Sequence, residues 1–148
     1  MKSGDQDERA RGLIMAFLID TDILIYSLKD YAVVNENFKK HLNTPKAISI
    51  ITYGELYFGA KKSKNIEKNT AIATRVSENF EVINVDKTII ECFGELKANL
   101  QKTGAIISDF DLIIGATALS FNLTVVTNND THFNKIPGLK VVNWTKSN

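Results

Sequence analysis

The run Met15-Ala16-Phe17-Leu18-Ile19 ends abruptly in Asp20-Thr21-Asp22. Five apolar residues without polar alternation specify a strand buried on both faces, the environment found at the centre of a parallel sheet. Asp20 then stands at the strand's carboxyl end. In open α/β sheets that edge binds ligands, because loops and helix N-termini gathered there place polar groups over a crevice without disturbing the core. Asp20 is therefore a candidate site residue. The competing reading is that Asp20 or Asp22 caps a helix starting near Ile23, since short acids accept bonds from orphan helix amides. Taken alone, the stretch leaves the two readings level.

Further along, Ile23 to Leu28 has the character of a short helix, and Val34, Phe38 and Leu42 recur at four-residue spacing in a second, which ends before Asn43-Thr44-Pro45. Ala47 to Ile51 is apolar and β-branched, the second strand, followed by Thr52-Tyr53-Gly54-Glu55. Thr52 and Glu55 have capping-box spacing, which gives Glu55 a structural reading. Its functional reading rests on position: one turn into the helix after a second buried strand, on the same sheet edge as Asp20. Gly59, four residues on, shares that helix face and leaves room there.

Lys61, Lys62, Lys64 and Lys68 come next, before an amphipathic helix bearing Ile72 and Val76. Such a cluster serves either as a solvated face or as a path for a polyanion. Phe80 to Val85 is a third strand, and Asp86 caps a helix striped by Ile89, Phe93, Leu96 and Leu100. Cys92, the sole cysteine, falls in that stripe as a small core residue and excludes an internal disulfide or a cysteine-rich zinc site. Ser108 to Ala116 opens a helix with two acids, Asp109 and Asp111, and then turns apolar nearly all round, the pattern of a buried helix. Ser108 and Asp111 again have capping-box spacing. Gly115 and Ala116 would let that helix approach the sheet closely. Leu123 to Val126 is the fourth strand, with Thr127-Asn128-Asn129-Asp130 at its carboxyl end and His132 just beyond. Pro137-Gly138 turns the chain into a last strand, Leu139 to Val142, closing at Trp144.

These elements predict a three-layer α/β/α domain over residues 15–148, with a central, mostly parallel sheet of four to five strands. A chain of 148 residues is long enough to build one real core. The first eleven residues are polar and aperiodic, the pattern of a disordered extension taken to cover residues 1–14, and Met15 is as plausible a natural start as Met1. The apolar run Leu13 to Ile19 is too short to span a membrane and the acids before it do not suit a signal peptide, so a cytoplasmic location is expected. A formal net charge of +1 does not announce nucleic acid, so any basic surface for a polyanion has to be local.

The acids share one pattern. Asp20 follows the first strand, Glu55 begins the helix after the second, Asp111 begins the helix before the fourth, and Asn129 and Asp130 follow the fourth. In a doubly wound parallel sheet all of these reach one edge. Several ionised carboxylates in one cleft repel one another unless a cation compensates. With no His or Cys among them the donor set is all oxygen, which selects Mg²⁺, or Mn²⁺ as its substitute, over zinc. Such a centre suits phosphoryl chemistry, in which Thr127 would hold the attacking water or a phosphate oxygen.

The same residues resemble a known family. Leu18-Ile19-Asp20-Thr21-Asp22, Thr52 to Ala60, Asp109 to Ala118, Val126 to Asn129, His132-Phe133 and Ile136 to Leu139 are similar, in that order, to the PIN domain in its VapC toxin form. The resemblance runs from about Met15 to Trp144. It implies a Mg²⁺-dependent endoribonuclease, the toxin half of a toxin–antitoxin pair, usually a homodimer, inhibited by a VapB-type antitoxin and acting on RNA, with tRNA and rRNA as target classes. Carried over residue by residue, the metal-site acids are Asp20, Glu55 and Asp111. The family's fourth acid falls near Asn129, which carries no charge, leaving Asp130 or a water to substitute and a second metal position open.

Two alternatives compete. Apolar residues leading into Asp20-Thr21-Asp22 also fit a haloacid-dehalogenase phosphatase with Asp20 as nucleophile and Asp22 as acid/base. That scheme needs an acidic pair after the threonine, whereas Asp109 and Asp111 precede Thr127. The other is a non-catalytic RNA- or partner-binding module with a weakened metal site, which Asn129 favours and three intact acids oppose.

Overall fold

A computed structural model describes residues 16–147. The expected N-terminal extension, residues 1–14, and Met15 lie outside the described residues. β1 (Phe17–Ile19) is buried on both faces, as its unbroken apolar run requires. It is followed by α1 (Thr21–Leu28), α2 (Ala32–Lys40), β2 (Lys46–Ser49), α3 (Ile50–Lys61), α4 (Ile66–Asn79) and β3 (Glu81–Ile83). The second half comprises α5 (Lys87–Lys102), α6 (Asp109–Phe121), β4 (Thr124–Val126), α7 (Asp130–Phe133) and β5 (Lys140–Val142).

The five strands pair in the order β3-β2-β1-β4-β5, every pair parallel. The chain therefore winds outward from β1 to β3, returns, and continues through β4 to β5. The reversal lies between β1 and β4, and a crevice opens at the carboxyl ends of strands at such a switch point. Successive side chains on a strand point to opposite faces, which splits the core in two. Phe17, Ile19, Ile48 and Val126 pack with Ile23 and Leu24 of α1, Val34 of α2, Val76 of α4 and Trp144. Leu18, Ala47 and Val125 pack on the other face with Leu100 of α5, Leu112, Ile114 and Ala118 of α6, and Phe133. The result is the expected three-layer α/β/α architecture.

Several local expectations are corrected. β2 stops at Ser49 rather than Ile51, because Ser49 caps α3 by accepting from the Ile51 N–H at 3.0 Å. Thr52 is consequently a buried residue inside the helix, and the Thr52/Glu55 capping box does not form. Leu42, expected on the apolar stripe of α2, is 76% exposed beyond the helix end. His41 takes the inward place, stacked on Trp144 with ring centroids 5.2 Å apart. Gly115 permits a close approach, but not to the sheet: a Cβ there would lie 2.7 Å from Ile136 Cδ1, so the glycine seats α6 against the segment entering β5. Cys92, free and half-buried, lies at the edge of the core rather than within it. Asp86 caps α5 as expected, accepting from the Ile89 N–H at 2.9 Å. No helix among the described residues is long and apolar enough to cross a membrane.

Candidate active site

Asp20 is the hub. It is 6% exposed at the end of β1, and each carboxylate oxygen has one partner. Oδ1 accepts from the Thr21 N–H at 2.9 Å, so Asp20 does cap α1, and Oδ2 accepts from the Thr127 hydroxyl at 2.8 Å across the β1–β4 crevice. The structural and functional readings thus coexist in one side chain. Burial first, and then the neighbouring Asp22, push its pKa up to about 7; the bonds from Thr127 and Thr21 oppose this and Asp111 adds to it.

Asp22 belongs to the strand-end motif but not to the acids expected at the metal. In the first turn of α1, it accepts from the Asn128 N–H through Oδ2 at 3.1 Å. Its Oδ1 is buried with no hydrogen-bond partner. Burial raises its pKa and Asp111 and Glu55 raise it further, against the N–H groups of Asn128 and Ile23. A buried carboxylate oxygen without a donor is costly unless a ligand supplies the missing partner.

Glu55 is half-buried on α3 and accepts from the Thr21 hydroxyl at 2.6 Å, the contact that ties α3 to the first turn of α1. Asp111 is half-buried at the start of α6, where the Asp111 N–H donates to Ser108 Oγ at 3.2 Å. Burial raises the Asp111 pKa; a bond to the Ser108 side chain and the nearby His132 hold it down. Asp20, Asp22, Glu55 and Asp111 therefore form a single electrostatic cluster, drawn from α1, α3, α6 and the end of β1.

The remaining expected residues are placed differently. Thr127 is fully buried and its hydroxyl is committed, donating to Asp20 and accepting from the Asn129 N–H at 2.9 Å. It orients Asp20 rather than presenting itself to water. The Asn129 side chain pairs with His132 Nδ1 at 3.2 Å. Asp130 is turned to Asn143, which donates to it at 3.2 Å, and to Lys146 at 3.9 Å. It is not among the charges that act on Asp20, Asp22 or Asp111. A cavity of about 540 Å³ opens beside Glu55 and runs past Gly59 to Lys68 and Asn69, with Leu28 and Lys29 on its other wall.

A PIN-domain model matches residues 17–139. The chain belongs to the PIN-domain family. It is of the VapC type: ribonuclease VapC2 of Rickettsia felis is 34% identical over 134 residues, 89% of this chain and 100% of that protein. The tRNA(fMet)-specific endonuclease VapC of Shigella flexneri is likewise 34% identical over 134 residues, with the same coverage. In the crystal structure of VapBC2 from Rickettsia felis bound to a DNA fragment from their promoter, the matching chain superimposes with a TM-score of 0.81 at 32% identity, covering 88% of this chain and 99% of that one. Membership sets aside the haloacid-dehalogenase reading of Asp20-Thr21-Asp22.

PIN-domain ribonucleases use a divalent metal, and the residues present fit one. The donors are all carboxylates, no protein cation is among the charges acting on Asp20 or Asp22, and the buried Asp22 Oδ1 has no protein partner. Among the described residues no three His, Cys, Asp or Glu side chains stand close enough together to hold a metal ion jointly. A hard cation that keeps several waters and takes one or two carboxylates needs no such trio. In this PIN domain Asp20 and Asp111 were legible from the strand-end and helix-start pattern. Asp22, Thr21 and His132 were not assigned; the two-residue step from Asp20 to Asp22 was the only signal, and the other two depend on contacts that no local pattern encodes.

Proposed function

We propose that this PIN domain hydrolyses RNA phosphodiester bonds as a Mg²⁺-dependent endoribonuclease, with Mn²⁺ as a substitute, held by Asp20, Asp22, Glu55 and Asp111. The observation that carries this is the buried, unpartnered Asp22 Oδ1 within a cluster whose central member, Asp20, has its pKa pushed up to about 7 by burial and then by Asp22. When bound, the cation supplies an activated water and stabilises charge on the phosphorus. The chain's own part is positional. Thr127 fixes one oxygen of Asp20 and the α1 N-terminus the other, while Thr21 holds Glu55. Thr127 and Asn129 act as supports, and Asp130 as an anchor for the segment after β5 rather than a further ligand.

In this reading the chain is the toxin half of a VapBC-type pair, partnered by a VapB-type antitoxin, itself a homodimer, and working in the cytoplasm where its RNA lies. The tRNA(fMet)-specific relatives make tRNA the first substrate to test. Protein stripped with EDTA is expected to leave tRNA intact and to recover cleavage on addition of Mg²⁺ or Mn²⁺. Calorimetric titration with Mn²⁺ separates the enzyme from a degraded binding module: wild type binds and Asp20→Asn does not, whereas equal, negligible heats from both would favour the module.

RNA affinity requires local cations, because phosphate contacts dominate it. Lys61, Lys62 and Lys64 are either a solvated face or a path for RNA; the cavity beside Glu55 is lined by Lys29 and Lys68, and Lys62 lies over the Phe58 ring at 5.0 Å. Replacing Lys29 and Lys68 with glutamine is expected to flatten the salt dependence of RNA binding by about 1.4 in log–log slope, the value for two phosphate contacts on a single strand. The Lys61, Lys62 and Lys64 triple variant should change it less. An unaltered slope in the Lys29/Lys68 pair would redirect the search to Lys39 and Lys40.

A further inference from the structure

Asp22, the acid with the open oxygen, is also held from the far end of the chain. Its Oδ2 accepts from the backbone N–H of Asn128, in the exposed turn after β4. That turn is fixed through the Asn128 side chain. Nδ2 donates to the Tyr26 hydroxyl at 3.3 Å, and Oδ1 accepts from Asn143 Nδ2 at 3.3 Å and from Thr145 Oγ1 at 3.0 Å. Asn143 and Thr145 also brace each other: Asn143 Oδ1 accepts from the Thr145 N–H at 2.9 Å and lies 2.7 Å from its hydroxyl, whose single proton is shared between Asn143 and Asn128. A second branch from Asn143 Nδ2 reaches Asp130 at 3.2 Å.

The segment that carries this pair is pinned from the other side. Trp144 is 3% exposed and meets Phe17 and Phe38 edge-on, with centroids 5.0 and 4.9 Å away. Buried Asn37 donates to the carbonyl oxygens of Trp144 at 3.0 Å and Lys146 at 3.4 Å. Asn143 and Thr145 thus extend from a rigid base toward the turn that holds a site carboxylate. Partly exposed bonds of this kind add little to global stability. Their leverage lies in position, since outer partners that orient metal-ligating groups govern affinity out of proportion to their own strength.

The geometry points to Asn143 and Thr145 as positioning residues of the active site, which set the Asn128 turn and thereby fix the Asp22 carboxylate that would hold the cation. This rests on the reading of Asp22 as a member of the metal-holding cluster. The test is calorimetric titration of EDTA-stripped full-length protein with Mn²⁺ alone, beside metal-free urea unfolding. Asn143→Ala is expected to weaken Mn²⁺ binding about tenfold. Thr145→Val should weaken it too, and Thr145→Ser, which restores the hydroxyl, should return the wild-type affinity, with the urea midpoints of both Thr145 variants at the wild-type value. If Asn143→Ala fails to fold, the Val/Ser pair still decides. Wild-type Mn²⁺ affinity in Thr145→Val, set against a clear loss in Asp22→Asn, would overturn the inference and leave the cluster standing. Equal weakening by Val and Ser would overturn it as well. Wild-type binding undiminished by Asp22→Asn would instead remove Asp22 from the cation, and the inference with it.

Discussion

Asp20→Asn is expected to abolish RNA cleavage and, in metal-free buffer at pH 8, to yield a protein more stable than wild type. The cap and the packing survive, because asparagine is as good at a helix N-cap as aspartate and has the same shape. What disappears is a buried charge, together with the acceptor for the Thr127 hydroxyl, since the amide keeps one oxygen where the carboxylate has two. The Asp20 carboxyl titrates near 3.8 when unfolded and near 7 when folded, so across that window the folded protein holds a proton the unfolded chain has released. Stability therefore falls as pH rises from about 4 to about 7, and the penalty is complete above the folded value. A shift of that size corresponds to roughly 4 kcal/mol at most, by linkage.

The wild type and variant should accordingly unfold alike near pH 4 and diverge with rising pH, which thermal melts across a pH series would follow. Mn²⁺ should close that gap, since a ligand at a thousand times its dissociation constant stabilises the binding form by about 4.1 kcal/mol. A variant that is less stable than wild type in metal-free buffer at pH 8 would mean that Asp20 is only a helix cap.

The legible and illegible parts of this site divide along a physical line. Asp20 and Asp111 could be read because local sequence fixes where they sit: one ends an unbroken apolar strand, the other opens an apolar helix. The topology that gathers them follows from parallel pairing and its crossovers. The supports could not be read. Thr21 reaches Glu55 across 34 positions of sequence, and Thr127 reaches Asp20 across 107. Such contacts belong to the tertiary fold. Local competition misled at α3, where Ser49 and Thr52 are both plausible caps and the structure uses the earlier one, drawing Thr52 into the helix. Adjacency misled at Asp130, which follows β4 as a ligand might, yet spends its oxygens on Asn143 and Lys146.

That correction at α3 sharpens what Glu55→Gln should do. Had Glu55 closed a capping box with Thr52, glutamine would serve the helix nearly as well and activity would hold. Ser49 caps the helix instead, and the Glu55 side chain is turned to Thr21, which donates to it at 2.6 Å. Glutamine keeps an oxygen to accept that hydroxyl and keeps the shape, so packing between α1 and α3 should persist. The change removes only charge, and with it part of the repulsion that raises the Asp22 pKa, so metal-free stability should be equal or slightly higher. Metal-centred charge stabilisation is worth several kcal/mol to a transition state, and each 1.36 kcal/mol is tenfold in rate. Initial rates of RNA cleavage at saturating Mg²⁺ are therefore expected to fall by at least about a hundredfold, with RNA affinity little changed. Thr21→Val, which leaves Glu55 charged but unheld, should give an intermediate loss. Near-normal cleavage by Glu55→Gln would confine Glu55 to the packing of α3 and leave the cation to Asp20, Asp22 and Asp111.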